Sequence, residues 1–191
     1  MMLAWITVLQ SHYRTDLKGT NKGVGKSMRT AIIYYSMSGN TAYVAEKIAE
    51  RIKTLGEVDI IRIEPKKAYP DKGAKKFFWG GKSAVMRETP ALQPYEFNIE
   101  KYDRIIFGTP VWASTFVPPL RTFINENPDV KDKKIAVFSC FSGGGADKAI
   151  DKMKKYVGIE KFEAELVLID PRDKKKEEDD AKIEEFCSSL I

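Results

Sequence analysis

The sequence predicts an α/β domain in which a five-stranded parallel sheet is covered by helices on both faces, a three-layer, doubly wound architecture. Two observations lead to this prediction. Short apolar runs alternate along the chain with segments whose apolar residues recur at three- and four-residue steps, as strands alternating with amphipathic helices require. The apolar runs also lack polar alternation, which is typical of parallel strands buried on both faces. Crossovers between such strands are right-handed.

The first strand is predicted at residues 30–35 and leads through a short loop into a helix. The buried face of this helix is formed by apolar residues at helical spacing, Val44, Ala45, Ile48 and Ile52. Gly56 supplies the helix stop, and a second strand follows at residues 58–63. Three further buried runs predict strands at residues 102–108, 134–141 and 162–169.

Helices follow the last three strands. Pro118 and Pro119 open the first of them, because proline suits the first turn of a helix. The next helix ends at Gly158, and its buried face is formed by Ala146, Ile150, Met153 and Val157. A charged run at residues 173–182, which indicates a solvated face, leads into the closing helix. The buried side of that helix is formed by Ile183, Phe186, Cys187 and Leu190.

The connection at residues 64–101 is the least conventional part of the chain. It carries scattered lysines and an aromatic block at residues 77–79 that is followed by Gly80 and Gly81. A short helix within residues 74–87, broken near the glycines, is predicted. We predict that these aromatic side chains pack this crossover against the sheet. A basic lid beside a ligand and a dimer contact are the alternatives.

Residues 1–27 are predicted to be a disordered extension, and residues 28–191 the folded domain. The apolar run within residues 1–9 is too short to span a bilayer. A phosphate-loop pattern near residue 25 fails, because Gly19 and Gly25 enclose five residues rather than four and no strand precedes them. Met28 is a hypothetical natural start of the chain.

The composition limits the classes of partner. The 191 residues carry a formal charge of +5, but four basic residues against one acidic residue lie in residues 1–27, so the folded domain is nearly neutral. Neither nucleic acid nor an anionic membrane is therefore an expected partner. The two cysteines are too few and too isolated for an iron–sulfur or zinc site, and they favour a reducing, cytoplasmic compartment.

The loop at residues 36–41, between the first strand and its helix, has the composition of an anion site. A strand that leads through such a loop into a helix directs backbone N–H groups and the positive helix end at one spot. The loop contains no Lys or Arg, so we expect dipoles and hydroxyls alone to neutralise a phosphate there. The alternative is an ordinary helix cap by Ser38 or Asn40. The six candidate residues are Ser36, Met37, Ser38, Gly39, Asn40 and Thr41.

Residues 32–48 resemble the flavodoxin signature. The matching positions are Ile32, Ile33, Tyr34, Ser36, Gly39, Thr41, Ala45 and Ile48. This resemblance implies the strand order 2-1-3-4-5, with a ligand crevice above the carboxyl ends of the first and third strands. It also implies that residues 36–41 bind the phosphate of flavin mononucleotide (FMN).

The loops after the third and fourth strands complete the predicted site. Residues 108–112 resemble the Gly-Thr-Pro-Val-Trp segment of one branch of flavodoxin-like proteins, which implies that the backbone here follows the flavin ring with Trp112 beside it. The glycines of the other loop let backbone N–H groups approach the polar edge of the ring. Trp112 as a cap on the core, and an ordinary turn, are the alternatives. The candidates are Thr109, Pro110, Val111, Trp112, Ala113, Cys140, Phe141, Ser142, Gly143 and Gly144.

The sequence therefore predicts a flavodoxin-like protein that binds FMN non-covalently and transfers electrons. Its partner would be a redox protein or a small-molecule electron acceptor, and a homodimer stays open. An NAD(P)H-dependent quinone or FMN reductase on the same scaffold is the alternative function. Cys140 is expected to be a buried, unreactive thiol, because no histidine or second cysteine lies near it in the sequence.

Overall fold

Five parallel strands form the middle layer of the computed structural model, which describes residues 27–70 and 75–191, without the side chains of residues 75–79. The strands are β1 (Met28–Tyr34), β2 (Gly56–Arg62), β3 (Arg104–Pro110), β4 (Lys134–Phe141) and β5 (Glu165–Ile169). Their order across the sheet is β2-β1-β3-β4-β5, which confirms the prediction. Residues 1–26 of the predicted extension lie outside the described part of the chain.

The helices form two outer layers, and alternate residues of β1 face each layer. The helices are α1 (Asn40–Ile52), α2 (Lys75–Val85), α3 (Pro118–Glu126), α4 (Ala146–Val157) and α5 (Asp179–Ser188). Ile32 and Tyr34 pack in the cluster with α1 and α5, whereas Ile33 packs in the cluster with α3 and α4. The predicted apolar faces of α1, α4 and α5 are all buried. Each fully buried aliphatic side chain contributes roughly 1.5–3 kcal/mol relative to an exposed one.

Four of the five predicted strands have different bounds in the structure. The first strand begins at Met28 rather than at residue 30, and the second begins at Gly56 rather than at residue 58. The third strand begins at Arg104 rather than at residue 102, because Tyr102 closes a short 3-10 turn at Ile99–Lys101 by donating its N–H to the Ile99 carbonyl. The fifth strand begins at Glu165 rather than at residue 162. The continuous pairing of β5 with β4 also begins at Glu165, which lies opposite Val137.

The prediction that the helix of the long connection breaks near its glycines is wrong. Helix α2 runs through Gly80 and Gly81 without interruption. Gly80 lies against the indole of Trp112, and a Cβ added to Gly80 would be only 3.2 Å from Trp112 Cε3. A helical glycine costs about 1 kcal/mol relative to alanine, and at Gly80 the close approach of the ring accounts for its presence.

Arg104, at the start of β3, is a fully buried arginine that sequence reasoning did not single out. Its side chain is 1% exposed and forms a fork with Glu163, with Nε 2.6 Å from Oε2 and Nη2 2.9 Å from Oε1. Nη2 also donates to the carbonyl of Leu190, near the chain's end. One side chain therefore ties β3 to the segment before β5 and to the residues after α5.

Candidate functional site

The predicted loops meet at the edge of the sheet where the strands end. Tyr34 pairs with Gly108, Gly108 pairs with Phe138, and Pro110 pairs with Cys140, so the last residues of β1, β3 and β4 lie side by side. The N–H of Val111 continues this ladder by donating to the Cys140 carbonyl at 3.0 Å. The loops after β1, β3 and β4 are therefore neighbours, as predicted.

Ser36 organises the first loop from within. Its hydroxyl is buried and accepts hydrogen bonds from the N–H groups of Gly39 (3.1 Å) and Ala42 (3.2 Å). Gly39 is the N-cap residue of α1 with φ 92°, and as a glycine it has no side chain with which to cap the helix. The first turn of α1 contains no acidic residue, so nothing within that turn cancels the positive end of the helix dipole.

The side chain of Asn40 joins the first loop to the segment that follows β5. Its Nδ2 donates to Asp173 Oδ2 at 3.0 Å and to Ser38 Oγ at 3.2 Å. Its Oδ1 accepts the N–H of Arg172 at 2.9 Å. Asn40 therefore anchors a fourth loop, residues 170–173, which sequence reasoning left out of the site. A direct contact between Asn40 and a phosphate stays a prediction.

Two arginines distant in sequence lie beside the first loop. Arg62, at the end of β2, donates from Nη2 to the Ser36 carbonyl at 3.0 Å. The guanidinium of Arg172 lies against Gly39, where an added Cβ would be 2.8 Å from Cζ. We expected dipoles and hydroxyls to act alone because the loop itself contains no cation, but the fold supplies cations from two other segments.

The second loop, residues 109–115 after β3, makes a tight turn in which two non-glycine residues have positive φ. Trp112 and Thr115 exchange both backbone hydrogen bonds at 3.0 Å, and Ala113 (φ 48°) and Ser114 (φ 55°) lie between them. Such conformations cost on the order of 1 kcal/mol or more each and are common at ligand sites. Contacts hold the turn in place, because the Ser114 carbonyl accepts a hydrogen bond from Lys152 Nζ at 2.9 Å.

Trp112 stands half-buried in an aromatic cluster at the end of β3. The rings of Tyr35 and Tyr69 lie nearly perpendicular to the Trp112 ring, and their centroids are 5.7 Å and 5.1 Å from its centroid. The Tyr69 hydroxyl is 3.0 Å from Ser83 Oγ, and the Ser83 hydroxyl in turn donates to the Glu88 carboxylate at 2.6 Å. The long connection therefore packs directly on the second loop. Burial raises the pKa of Tyr69, so its hydroxyl stays protonated at neutral pH.

The third loop, residues 140–145 after β4, exposes the backbone of two of its glycines. Gly143 and Gly144 have open space around them, so their backbone groups are accessible to a ligand. Ser142 donates to Asp170 Oδ1 at 2.5 Å, and the Asp170 N–H donates to the Phe141 carbonyl at 3.1 Å. The fourth loop is thus tied to the third loop as well as to the first.

The side chain of Cys140 points away from solvent and reaches the first loop. It is 4% exposed, and its thiol shares a hydrogen bond with Thr41. Burial raises the pKa of Cys140 to about 12 and that of Cys187 to about 11. These values agree with the expectation that Cys140 is unreactive.

We expect both thiols of the folded protein to resist labelling. A raised pKa keeps the nucleophilic thiolate scarce, so at pH 8 iodoacetamide should react at least ~100-fold more slowly than with the unfolded chain. The variant Ser188→Cys, at an exposed position, is the positive control. Fast labelling of the native thiols would contradict this expectation.

The raised pKa of Cys140 also makes stability depend on pH. The thiol of the unfolded chain ionises at a lower pH than the buried thiol, so the stability that the buried thiol contributes should be present below pH 9 and lost as the pH rises toward 12.

Neither a metal cluster nor a bilayer-spanning helix is found in the described part of the chain. No three His, Cys, Asp or Glu side chains of residues 27–70 and 75–191 are grouped as metal ligands would be. Over the same residues, no helix combines the length and the apolar character needed to cross a bilayer.

Comparison with known proteins identifies the family. Residues 29–178, well over half of the chain, match the family model described as Flavodoxin. This chain belongs to the flavodoxin family. The strand order of this flavodoxin family member reverses between β1 and β3, where the first loop and the loop after β3 lie.

Several solved structures share this flavodoxin fold. A flavoprotein from Lactobacillus acidophilus NCFM, solved in complex with FMN, is 19% identical with a TM-score of 0.63, and the match covers 83% of this chain and 98% of that one. A protein from Bacteroides eggerthii DSM 20697 is 21% identical with a TM-score of 0.64, over 84% of this chain and 96% of that one. Rubredoxin oxygen:oxidoreductase from Desulfovibrio gigas is 15% identical with a TM-score of 0.56, over 85% of this chain and only 35% of that one.

Proposed function

We propose that this flavodoxin family member binds FMN non-covalently where β1, β3 and β4 end and transfers electrons through it. The observation that carries the proposal is the first loop, which the Ser36 hydroxyl shapes by accepting two backbone N–H groups at the start of a helix without acidic residues in its first turn. Such a helix start attracts a phosphate. The flavoprotein of Lactobacillus acidophilus, which shares the fold, was solved with FMN.

The residues present fit the parts of FMN. Backbone N–H groups of residues 37, 38, 40 and 41, with the hydroxyls of Ser38 and Thr41, would hold the phosphate. Residues 109–113 would follow the ring, with Trp112 excluding water from it. The backbone of residues 140–144, of which residues 142–144 are exposed, would face the polar edge of the ring. When bound, FMN supplies the electron-accepting chemistry, and the protein supplies binding and orientation.

The positions of the aromatic side chains support the proposed role of Trp112. A side chain that is to shield a ligand must be held by its surroundings, and Tyr35 and Tyr69 fix the Trp112 ring from two directions. Aromatic pairs of this kind contribute about 0.5–1.5 kcal/mol beyond area burial. The ring nevertheless stays partly accessible, which leaves a surface for a ligand.

The first experiment is a titration of the purified apoprotein with FMN. We expect a yellow one-to-one complex with quenched flavin fluorescence and a Kd of about 1 µM or tighter, which corresponds to about −8 kcal/mol. Riboflavin, which lacks the phosphate, should bind more weakly. A protein that stays colourless and leaves FMN fluorescence unchanged far above micromolar concentrations would refute the proposal.

A second experiment distinguishes electron transfer from the reductase alternative. The FMN-loaded protein is mixed with NADPH without oxygen, and the flavin absorbance is followed. An electron carrier should react slowly with NADPH and rapidly with dithionite. Fast bleaching by NADPH would favour the NAD(P)H-dependent reductase.

A further inference from the structure

The fourth loop places the cationic side chain of Arg172 beside Gly39 of the first loop. The backbone of this loop is fixed by the bond from the Asp170 N–H to the Phe141 carbonyl and by the bond from the Arg172 N–H to Asn40. The side chain of Arg172 lies against Gly39, the N-cap residue of α1. The guanidinium is thus next to the N–H groups that are proposed to receive the phosphate.

The Arg172 guanidinium is held by one carboxylate and still faces solvent. Its Nε and Nη2 both contact Asp173 Oδ1, at 2.8 Å and 2.7 Å. The other oxygen of Asp173 accepts from Asn40, so the carboxylate is itself anchored to the first loop. The side chain of Arg172 remains 49% exposed, and its Nη1 is the atom turned toward Gly39. An anion in the loop could therefore be reached by Arg172 without breaking its bond to Asp173.

Arg62 is a weaker candidate for the same role. Its Nε is paired with Glu64 at 2.5 Å, and its Nη2 donates to the Ser36 carbonyl. The guanidinium is thus already shared between a carboxylate and a backbone carbonyl, and neither contact lies at Gly39. Arg172 is therefore the described cation best placed to meet a phosphate.

We propose that Arg172 is the counter-ion of the flavin phosphate and sets the preference of this site for phosphorylated over unphosphorylated flavins, with Asp173 and Asn40 as its positioning residues. This inference rests on the proposed function. A phosphomonoester carries a charge of about −1.5 to −2 at neutral pH, which exceeds the partial charge of one helix end. The planar guanidinium donates from several nitrogens, so it can keep a carboxylate and a phosphate at once.

The test compares the Kd of FMN and of riboflavin for three variants. Arg172→Gln should raise the Kd of FMN about 10-fold, equivalent to about 1.4 kcal/mol, and leave the Kd of riboflavin within about 2-fold. Arg172→Lys keeps the charge and should restore most of the affinity. Lys175→Gln is the matched control, because it removes the same charge three residues along, from a side chain paired with Asp180. It should leave both constants unchanged.

The outcomes separate this inference from the proposed function. If the wild type binds FMN but Arg172→Gln changes nothing, or weakens FMN and riboflavin equally, the role of Arg172 is refuted and the flavin site stands. The same holds if Lys175→Gln weakens FMN as much as Arg172→Gln does. If the wild type binds neither flavin, the proposed function falls and this inference falls with it. Melting curves of the apoproteins should coincide, since the exposed side chain of Arg172 adds little to stability.

Discussion

Replacing Arg104 with alanine is expected to lower the free energy of unfolding by about 3–5 kcal/mol. The guanidinium is fully buried and satisfies both oxygens of Glu163 as well as the carbonyl of Leu190. Truncation leaves the carboxylate and the carbonyl without this donor and opens a cavity at the start of β3. Guanidinium chloride unfolding of the apoprotein, followed by circular dichroism, measures the change.

Lys134 offers a matched control for this experiment. Its ammonium lies 3.5 Å from the same Glu163 carboxylate, but its side chain is 58% exposed. Lys134→Ala therefore removes a cation from the same partner without desolvation or packing and should cost less than about 1 kcal/mol. Equal losses for the two variants would show that burial of Arg104 is not the cause. Arg104→Met, which retains much of the volume, should fall between them.

The sheet could be predicted from the sequence because its strands are continuous apolar runs. The run at residues 134–141 coincides with β4, since each of its residues from Ile135 to Cys140 is buried on one face or the other. The predicted starts of β3 and β5 are wrong, because Tyr102 and Phe162 are also apolar but lie in a turn and a loop. Local hydrophobicity does not distinguish a buried strand residue from a buried loop residue.

The candidate site was predicted only where it depends on local order along the chain. The loops after β1, β3 and β4 carry glycine and hydroxyl residues that mark them in the sequence. The fourth loop does not, because Asp173 opens the charged run, which is typical of a solvated face, and Arg172 directly precedes it. Their contacts with Asn40 span more than 130 positions. A usable signal was present, since β5 must end at the same edge of the sheet as its parallel neighbours.

The unbroken helix α2 was missed for a related reason. Two adjacent glycines normally weaken a helix, and the sequence gives no sign that Trp112 will lie against one of them. The two segments are over 30 positions apart. At Gly80 a tertiary contact outweighs the low helix propensity of glycine.

A carboxylate introduced into the first loop is expected to abolish most of the affinity for FMN. Ser38 is exposed, precedes Gly39 and accepts a hydrogen bond from Asn40. Ser38→Asp would place a negative charge where the phosphate is proposed to bind, and it would also compete for Arg172 beside Gly39. The Kd of FMN should rise about 100-fold, equivalent to about 2.7 kcal/mol, because like charges at close range repel strongly.

The stability of the apoprotein should change in the opposite direction. An acidic side chain near the first turn of a helix is favourable by about 0.3–1 kcal/mol, so Ser38→Asp should be at least as stable as the wild type. Loss of FMN binding therefore could not be attributed to unfolding. Ser38→Asn introduces a side chain of nearly the same shape as aspartate but without the charge. It should keep the Kd of FMN within about 3-fold of the wild-type value, equivalent to about 0.7 kcal/mol.

Riboflavin gives the final discrimination, because it carries the same ring without a phosphate. Fluorescence titrations with riboflavin should give the same Kd for the wild type and for Ser38→Asp. If Ser38→Asp raised the Kd of riboflavin as much as that of FMN, the substitution would be affecting the binding of the flavin ring or the folding of the protein. The phosphate would then have to bind elsewhere. If Ser38→Asp bound FMN as tightly as Ser38→Asn, no phosphate could lie near the start of α1, and the proposed placement of FMN would be wrong.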